Sequence, residues 1–417
     1  MPRLTPFSRL VTASGLSNLA DGVFRVALPL VALGITRDPG AFAAVTLVSR
    51  LPWLLFALVA GALADRLDRR RTMTLVNLGR AALIGLLALV VAADHEAMWM
   101  LYLVGFALGV GETLFDTAAQ SILPNIVTDK DRLNKANSNL YAVELTANQF
   151  VGPPLGGIVV AASAALALGG SAVAFLLAAL VLLTLVGNFR PERTGPPTRI
   201  HTDIAEGLRY LFGHKVLRTL ALCVGVSNLA STAFESVLAL YVVEPGPMGM
   251  TEAGYGLLLT TFALGSLVAT PLVDRIQRRL GTTAALFLAM LIFPVSALVP
   301  AISTSWVAVG FIFAVSGFVN VVWNVLTVSL RQRIVPDHLL GRVNSGYRLL
   351  AWGTMPMGAL LGGVLGEAIG LRAVFVGSFA LGLLCLPLLL SGVSDAAIEA
   401  AEAESEAGKS ESEPALT

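Results

Sequence analysis

One charged stretch limits what this chain can fold into. It reads Gly61-Ala62-Leu63-Ala64-Asp65-Arg66-Leu67-Asp68-Arg69-Arg70-Arg71 and is pressed between two long apolar runs, residues 41–60 and 72–93. Charges this dense cannot lie in hydrocarbon. Irregular backbone exposed to lipid would leave its polar groups unpaired. The stretch is therefore a tight turn on one membrane face, with a spanning helix on either side. Composition agrees with that reading. Of 417 residues, 56% are hydrophobic and 13% charged, against roughly 25% charged in a soluble protein. Mean hydropathy is +0.78.

A spanning helix needs about 20 apolar residues, and the chain offers twelve such runs. They fall at about 10–35, 41–64, 73–93, 98–122, 136–160, 170–189, 216–243, 252–273, 282–301, 306–330, 342–366 and 372–392. Basic residues gather on alternate connections. One side carries Arg66, Arg69, Arg70 and Arg71, then Lys130, Arg132 and Lys135, then Arg190, Arg193 and Arg199. Further along, the same side carries Arg275, Arg278 and Arg279, then Arg331, Arg333 and Arg342. The other side has Arg37 and Arg372. Positive residues stay in the cytoplasm, so both termini are expected there, in a multi-pass protein of a bacterial cytoplasmic (inner) membrane. No cleavable signal peptide is expected, because the first span carries Asp21 and Arg25.

The chain reads as two halves. Ser17-Asn18-Leu19-Ala20 recurs as Ser227-Asn228-Leu229-Ala230, Asp65-Arg66 as Asp274-Arg275, Asn137-Ser138 as Asn344-Ser345, and Gly156-Gly157 as Gly362-Gly363. The four repeats keep their order, and their offset drifts slowly from 210 to 206 residues. Duplication explains this pattern. The expected organisation is an N-terminal six-helix bundle over 1–189, a cytoplasmic linker over 190–215 and a C-terminal six-helix bundle over 216–392. The linker alternates Ile204, Leu208, Leu211 and Phe212 with Asp203, Glu206 and Arg209, which suits a short amphipathic helix. Residues 393–417 are acidic and small, and a disordered tail is expected.

The charged turn resembles the loop signature of the major facilitator superfamily, G-x-L-A-D-R-x-G-R-K. Gly61, Leu63, Ala64, Asp65, Arg66, Arg69 and Arg70 match it, and Asp68 stands where the family has Gly. Asp at a left-handed position costs more than Gly, so a weakened turn is expected there. The resemblance implies an all-α membrane protein of twelve transmembrane helices. It also implies gating by Gly61, Asp65, Arg66, Arg69 and Arg70 with their duplicates Asp274 and Arg275. Gly152, Pro153, Gly156 and Gly157 in span five resemble the element of drug-type antiporters, which export. Span four keeps Gly109-Val110-Gly111, but Gly105 stands where many proton-coupled exporters carry Arg. Pro124 and the Arg132–Ser138 run look more like the subgroup of the enterobactin exporter and the macrolide and tetracycline efflux proteins. The function implied is secondary active export of a small organic molecule by proton antiport with alternating access. An uptake permease, a lipid flippase and a non-transporting membrane sensor are the alternatives.

Ionisable residues inside spans are costly and usually face a cavity or a partner. Asp21, Arg25, Glu235, Glu144, Glu112 and Asp116 are the proton-coupling candidates, with Arg50 and Arg348 as further buried cations. Asp21 and Arg25 are four apart on one helix face and are expected to pair. Glu112 and Asp116 share a face, and neighbouring carboxylates oppose joint ionisation. The expected cavity residues are Asn18, Tyr141, Asn148, Gln149, Asn228, Phe234, Asn320, Trp323, Asn324 and Trp352. No phosphate-binding loop and no nucleophile–His set stands out, so neither ATP use nor enzymatic chemistry is expected. Cys223 and Cys385 lie in apolar runs, so no disulfide framework, metal or cofactor is expected. The expected partners are the organic substrate, protons and the lipid bilayer around a monomer, with no nucleic acid.

Overall fold

The structure, a computed structural model, describes residues 5–64, 67–127, 130–187, 189 and 200–412. These residues are helical almost throughout. Eleven stretches of the described chain are long and apolar enough to cross a membrane. The first four are α1 (Pro6–Ile35), α2 (Pro39–Ala64), α3 (Arg69–Ala92) and α4 (Met98–Ile126). A fifth, interrupted rod follows: α5 (Lys130–Leu145), a π-helical turn (Thr146–Val151) and α6 (Gly152–Ala162). It completes the count of twelve. Next come α7 (Ala164–Leu183), the short α8 (Ile200–Gly213), α9 (Lys215–Val242), α10 (Glu252–Ala269) and α11 (Val273–Leu280). The chain ends with α12 (Thr282–Ile292), α13 (Val295–Ile302), α14 (Trp306–Ile334), α15 (Asp337–Gly353), α16 (Met355–Ile369), α17 (Leu371–Leu383), α18 (Cys385–Gly392) and α19 (Asp395–Ser412). Several later spans are thus broken pairs, such as α12 with α13 and α15 with α16.

Local sequence sets these ends and breaks. Thr5 caps α1, accepting a bond from the Ser8 N–H, and Pro6 starts the helix where no donor is needed. Ser163 caps α7 and Ser305 caps α14 in the same way. The π turn precedes Gly152-Pro153-Pro154, where two consecutive residues have no N–H. The Gly152 N–H bonds to the Ala147 carbonyl instead, five residues back.

Asp68 corrects an expectation. Its backbone is extended, at φ −64° and ψ 111°, not left-handed. Its carboxylate accepts the Arg71 N–H at 2.9 Å and caps α3. Asp in the glycine position strengthens this helix start rather than weakening the turn. Asp65 and Arg66 lie outside the described residues.

The chain divides into two compact units: Met1–Gly195 with Ser236–Thr260, and Pro196–Glu235 with Thr261–Thr417. In the first, Arg37 in the α1–α2 turn donates to the Glu244 carbonyl at 2.7 Å, and Gly157 of α6 meets the backbone of Gly256 of α10. A core around Leu10, Met73, Phe115, Ile122, Leu123 and Leu182 fills that unit. In the second, α8 lies so close to α15 that a Cβ on Gly207 would sit 2.2 Å from the Arg342 carbonyl. Glu206 and Arg342 pair beside it at 2.6 Å.

The expected disordered tail is also corrected as far as Ser412, and residues 413–417 lie outside the described residues. α19 buries Ile398 and Ala401 in the core of the second unit. Glu402 pairs with Arg333 at 2.9 Å, and Asp395 accepts from Thr283 at 2.7 Å. Ile398 and Ala401 are three apart, so one helical face carries both. The Ala- and Glu-rich sequence favours helix, and its single large apolar residue is enough to dock it.

Candidate functional site

The first unit holds a polar cluster in the middle of apolar helices. Asp21 of α1 accepts a bond from the guanidinium of Arg80 of α3, and the two form a buried ion pair. Arg80 is 2% exposed, so this charge has left solvent entirely. Ser17, one turn before Asp21, stands 3.4 Å from Arg80 Nη1 and donates to Asn77 Oδ1 at 3.3 Å. The guanidinium plane lies over the Phe175 ring of α7, 4.1 Å from its centroid. Gly111 of α4 makes the space, because a Cβ there would sit 2.8 Å from Arg80 Cδ.

This arrangement corrects the expected Asp21–Arg25 pair. Asp21 is buried and turned to α3, whereas Arg25 is exposed and lies 4.0 Å from Glu112 of α4. One helical turn separates the two residues, but the bundle gives each a different neighbour. Sequence reasoning missed Arg80 altogether. The signal was present: a lone Arg well inside the apolar run of α3, three residues after Asn77 and so on its face.

The other carboxylates gather nearby. Asp116 lies within the electrostatic reach of Glu112, Asp21, Glu144 and Arg80. Asn148, in the π turn, donates to Asn18 Oδ1 at 3.3 Å, and Asn18 donates to the Ser14 carbonyl at 3.0 Å. Asn77 Nδ2, Asn148 Oδ1, Arg80 Nε and Glu144 Oε1 are buried atoms without a hydrogen-bond partner. Such atoms call for water or a polar ligand group. Gln149 is half-buried and Tyr141 exposed.

In the second unit the predicted cavity residues are mixed in kind. Phe234 packs against Phe313 and Phe375 at 5.9 and 5.0 Å between ring centroids, and Trp323 belongs to the core. Asn228 ties α9 to α15 by donating to the Ala351 carbonyl at 2.6 Å. Asn324 is exposed and donates to Asn320 Oδ1 at 3.1 Å. Trp352 lies under the Arg348 guanidinium at 4.2 Å. Glu235, Asp274 and Arg275 are exposed.

The loop and span-five motifs have definite contacts. Gly61 lies within α2, near its end. Arg69 bonds Asn125 Oδ1 at 2.6 Å, and Arg70 reaches the Leu183 carbonyl at 3.2 Å, so both tie the start of α3 to neighbouring helix ends. Gly152 and Pro153 are buried in α6. A Cβ on Gly152 would sit 2.5 Å from Gly22 Cα, one residue from Asp21. Gly156 lies against Val23, and Gly157 against Gly256. These are close backbone crossings of the kind small residues permit.

A buried polar cluster among apolar spans fits a transporter, and the family comparison decides it. Residues 3–416 match the transmembrane secretion effector family. The chain belongs to this family of the major facilitator superfamily. The transporter is 30% identical over 409 residues to the multidrug efflux pump Tap of Mycobacterium tuberculosis, covering 93% of this chain and 90% of that one. It is 26% identical over 398 residues to the enterobactin exporter EntS of Salmonella typhimurium, covering 92% and 91%. A point mutant of the nucleoside transporter NupG superposes with a TM-score of 0.75 at 13% identity, over 94% of this chain and 100% of that one. An inward-facing bacterial homologue of the iron transporter ferroportin gives 0.72 at 19%, over 93% and 98%. Those two structures share the transporter's fold. It is a multi-pass membrane transporter of the efflux type, not an enzyme.

Proposed function

We propose that this chain exports a small amphiphilic organic molecule from a bacterial cytoplasm across the inner membrane, in exchange for protons, by alternating access. The observation that carries the reading is the buried Asp21–Arg80 pair, with Glu112, Asp116 and Glu144 close by. A carboxylate can couple transport to protons only if its environment differs between the two access states. The Arg80 guanidinium offsets part of the cost of burying the Asp21 charge. When Arg80 is drawn away, a carboxylate left in apolar surroundings takes up a proton instead. The Phe175 ring lies against the same guanidinium and replaces part of its water while the pair is intact. Protons then enter from outside with Asp21 and leave inside as the pair re-forms. The efflux names of the relatives, a multidrug pump and an enterobactin exporter, support an organic substrate moving outward.

The test is flux in proteoliposomes. Asp21→Asn keeps the shape and removes the titrating group. It is expected to abolish uphill export driven by a pH gradient while leaving downhill exchange. Uphill export by Asp21→Asn with unchanged pH dependence would move the coupling to Glu112, Asp116, Glu144 or Glu235. Persistence in all five neutral variants would rule proton coupling out.

A further inference from the structure

The chain contains two cysteines, far apart in sequence and both inside apolar spans. Folding brings them together in the second unit. The Cys223 thiol of α9 reaches the Cys385 carbonyl at 3.7 Å, and the Cys385 thiol of α18 reaches the Cys223 carbonyl at 3.6 Å. Ser227, one turn after Cys223, stands 3.9 Å from Cys385 Sγ and 3.6 Å from Met290 Sδ of α12. Two thiols, a thioether and a hydroxyl from three spans therefore converge. Cys223, Cys385 and Met290 are 0%, 1% and 3% exposed, and both cysteines are free thiols.

We propose that Cys223, Cys385 and Met290 form a binding site for a soft divalent metal ion. Thiolate and thioether sulfur select soft ions, and a hard ion such as Mg2+ would lose its water here without gaining enough oxygen ligands. Charge balance points the same way. Two thiolates neutralise one divalent ion, so the loaded site brings no net charge into its apolar surroundings. Loading follows M2+ + 2 RSH → M(SR)2 + 2 H+, so nothing is oxidised and two protons leave for each ion bound. Met290 supplies a third, neutral donor, and the Ser227 hydroxyl lies within reach of the same space. All three sulfur-bearing side chains are buried, as the ligands of structural metal sites are. An ion there would staple α9, α12 and α18 together.

Cadmium is the probe, added as Cd2+ to the purified full-length transporter in detergent and followed by desalting. The expected result is one retained Cd2+ per chain with thiolate-to-cadmium ultraviolet absorption. Affinity should strengthen by up to about a hundredfold per pH unit as two protons leave. Cys223→Ser and Cys385→Ser should each abolish retention. Met290→Leu keeps the core volume and should weaken binding about tenfold or more. No retained ion, two ions per chain, or retention indifferent to Cys→Ser would overturn the site and leave the thiols as packing. Binding unaltered in Met290→Leu would remove the thioether from it.

Discussion

Arg80 is the residue on which the first unit's interior turns. A guanidinium that is 2% exposed survives only because Asp21, Ser17 and the Phe175 face replace its water. Gly105 of α4 sits in a crowded place. It stands where related exporters carry Arg, yet a Cβ there would lie 2.6 Å from Ser49 Oγ and 3.3 Å from Leu28 Cδ2. Gly111, further along α4, faces Arg80 instead. Removing one partner of a buried pair leaves an uncompensated charge and costs about 3–5 kcal/mol, while removing both costs far less. Arg80→Ala is therefore expected to lower thermal stability in detergent sharply. Arg80→Ala with Asp21→Asn should regain much of the loss. Equal losses in the single and double variants would mean that the two side chains act independently.

The last helix shows how little apolar surface is needed to dock an element when the target is preformed. α19 is mostly polar, yet Ile398 and Ala401 lie in the core and Glu402 and Asp395 fasten its edge. Burying one Ile contributes about 1.5–3 kcal/mol, enough to hold a helix whose composition already favours that form. Deleting residues from Ser394 onward should lower the melting temperature and loosen α14 in hydrogen exchange. Deleting only residues 405–417 keeps Ile398, Ala401 and Glu402 and should change neither. Equal behaviour of the two truncations would show that the docked face adds nothing. The interrupted fifth span is a second case at this scale. Two successive prolines force a π turn, and that turn carries Asn148, which reaches Asn18 of α1. A packing motif and a polar contact thus come from one backbone irregularity.

At the scale of the whole molecule, the asymmetry of Arg and Lys predicts which ends of the helices face the cytoplasm. The native cysteines are both buried, so introduced thiols give little background. Thr304→Cys, on the connection before α14, should react with an impermeant maleimide from outside intact cells. Arg71→Cys, at the start of α3, should react only after the membrane is opened. Both positions are exposed, so access is decided by side and not by burial. Reversed labelling would invert the topology and with it the direction assigned to transport.

Hydropathy and loop charge are properties of composition along the chain, and they marked the spans, while the charged turn carried the resemblance to a transporter family. Helical periodicity likewise put Glu112 and Asp116 on one face of their span. Partner choice was a different matter. Asp21 and Arg25 share a helix face, but which charge each meets depends on how α3 and α4 pack around α1. Only the packed bundle turned Asp21 to Arg80 and Arg25 to Glu112. The same holds for Cys223 and Cys385, whose meeting requires α9 and α18 to be neighbours, and for α19, whose acidic sequence gives no sign of the groove that receives Ile398. Periodicity along one helix says what can face a neighbour, and tertiary packing decides which neighbour is there.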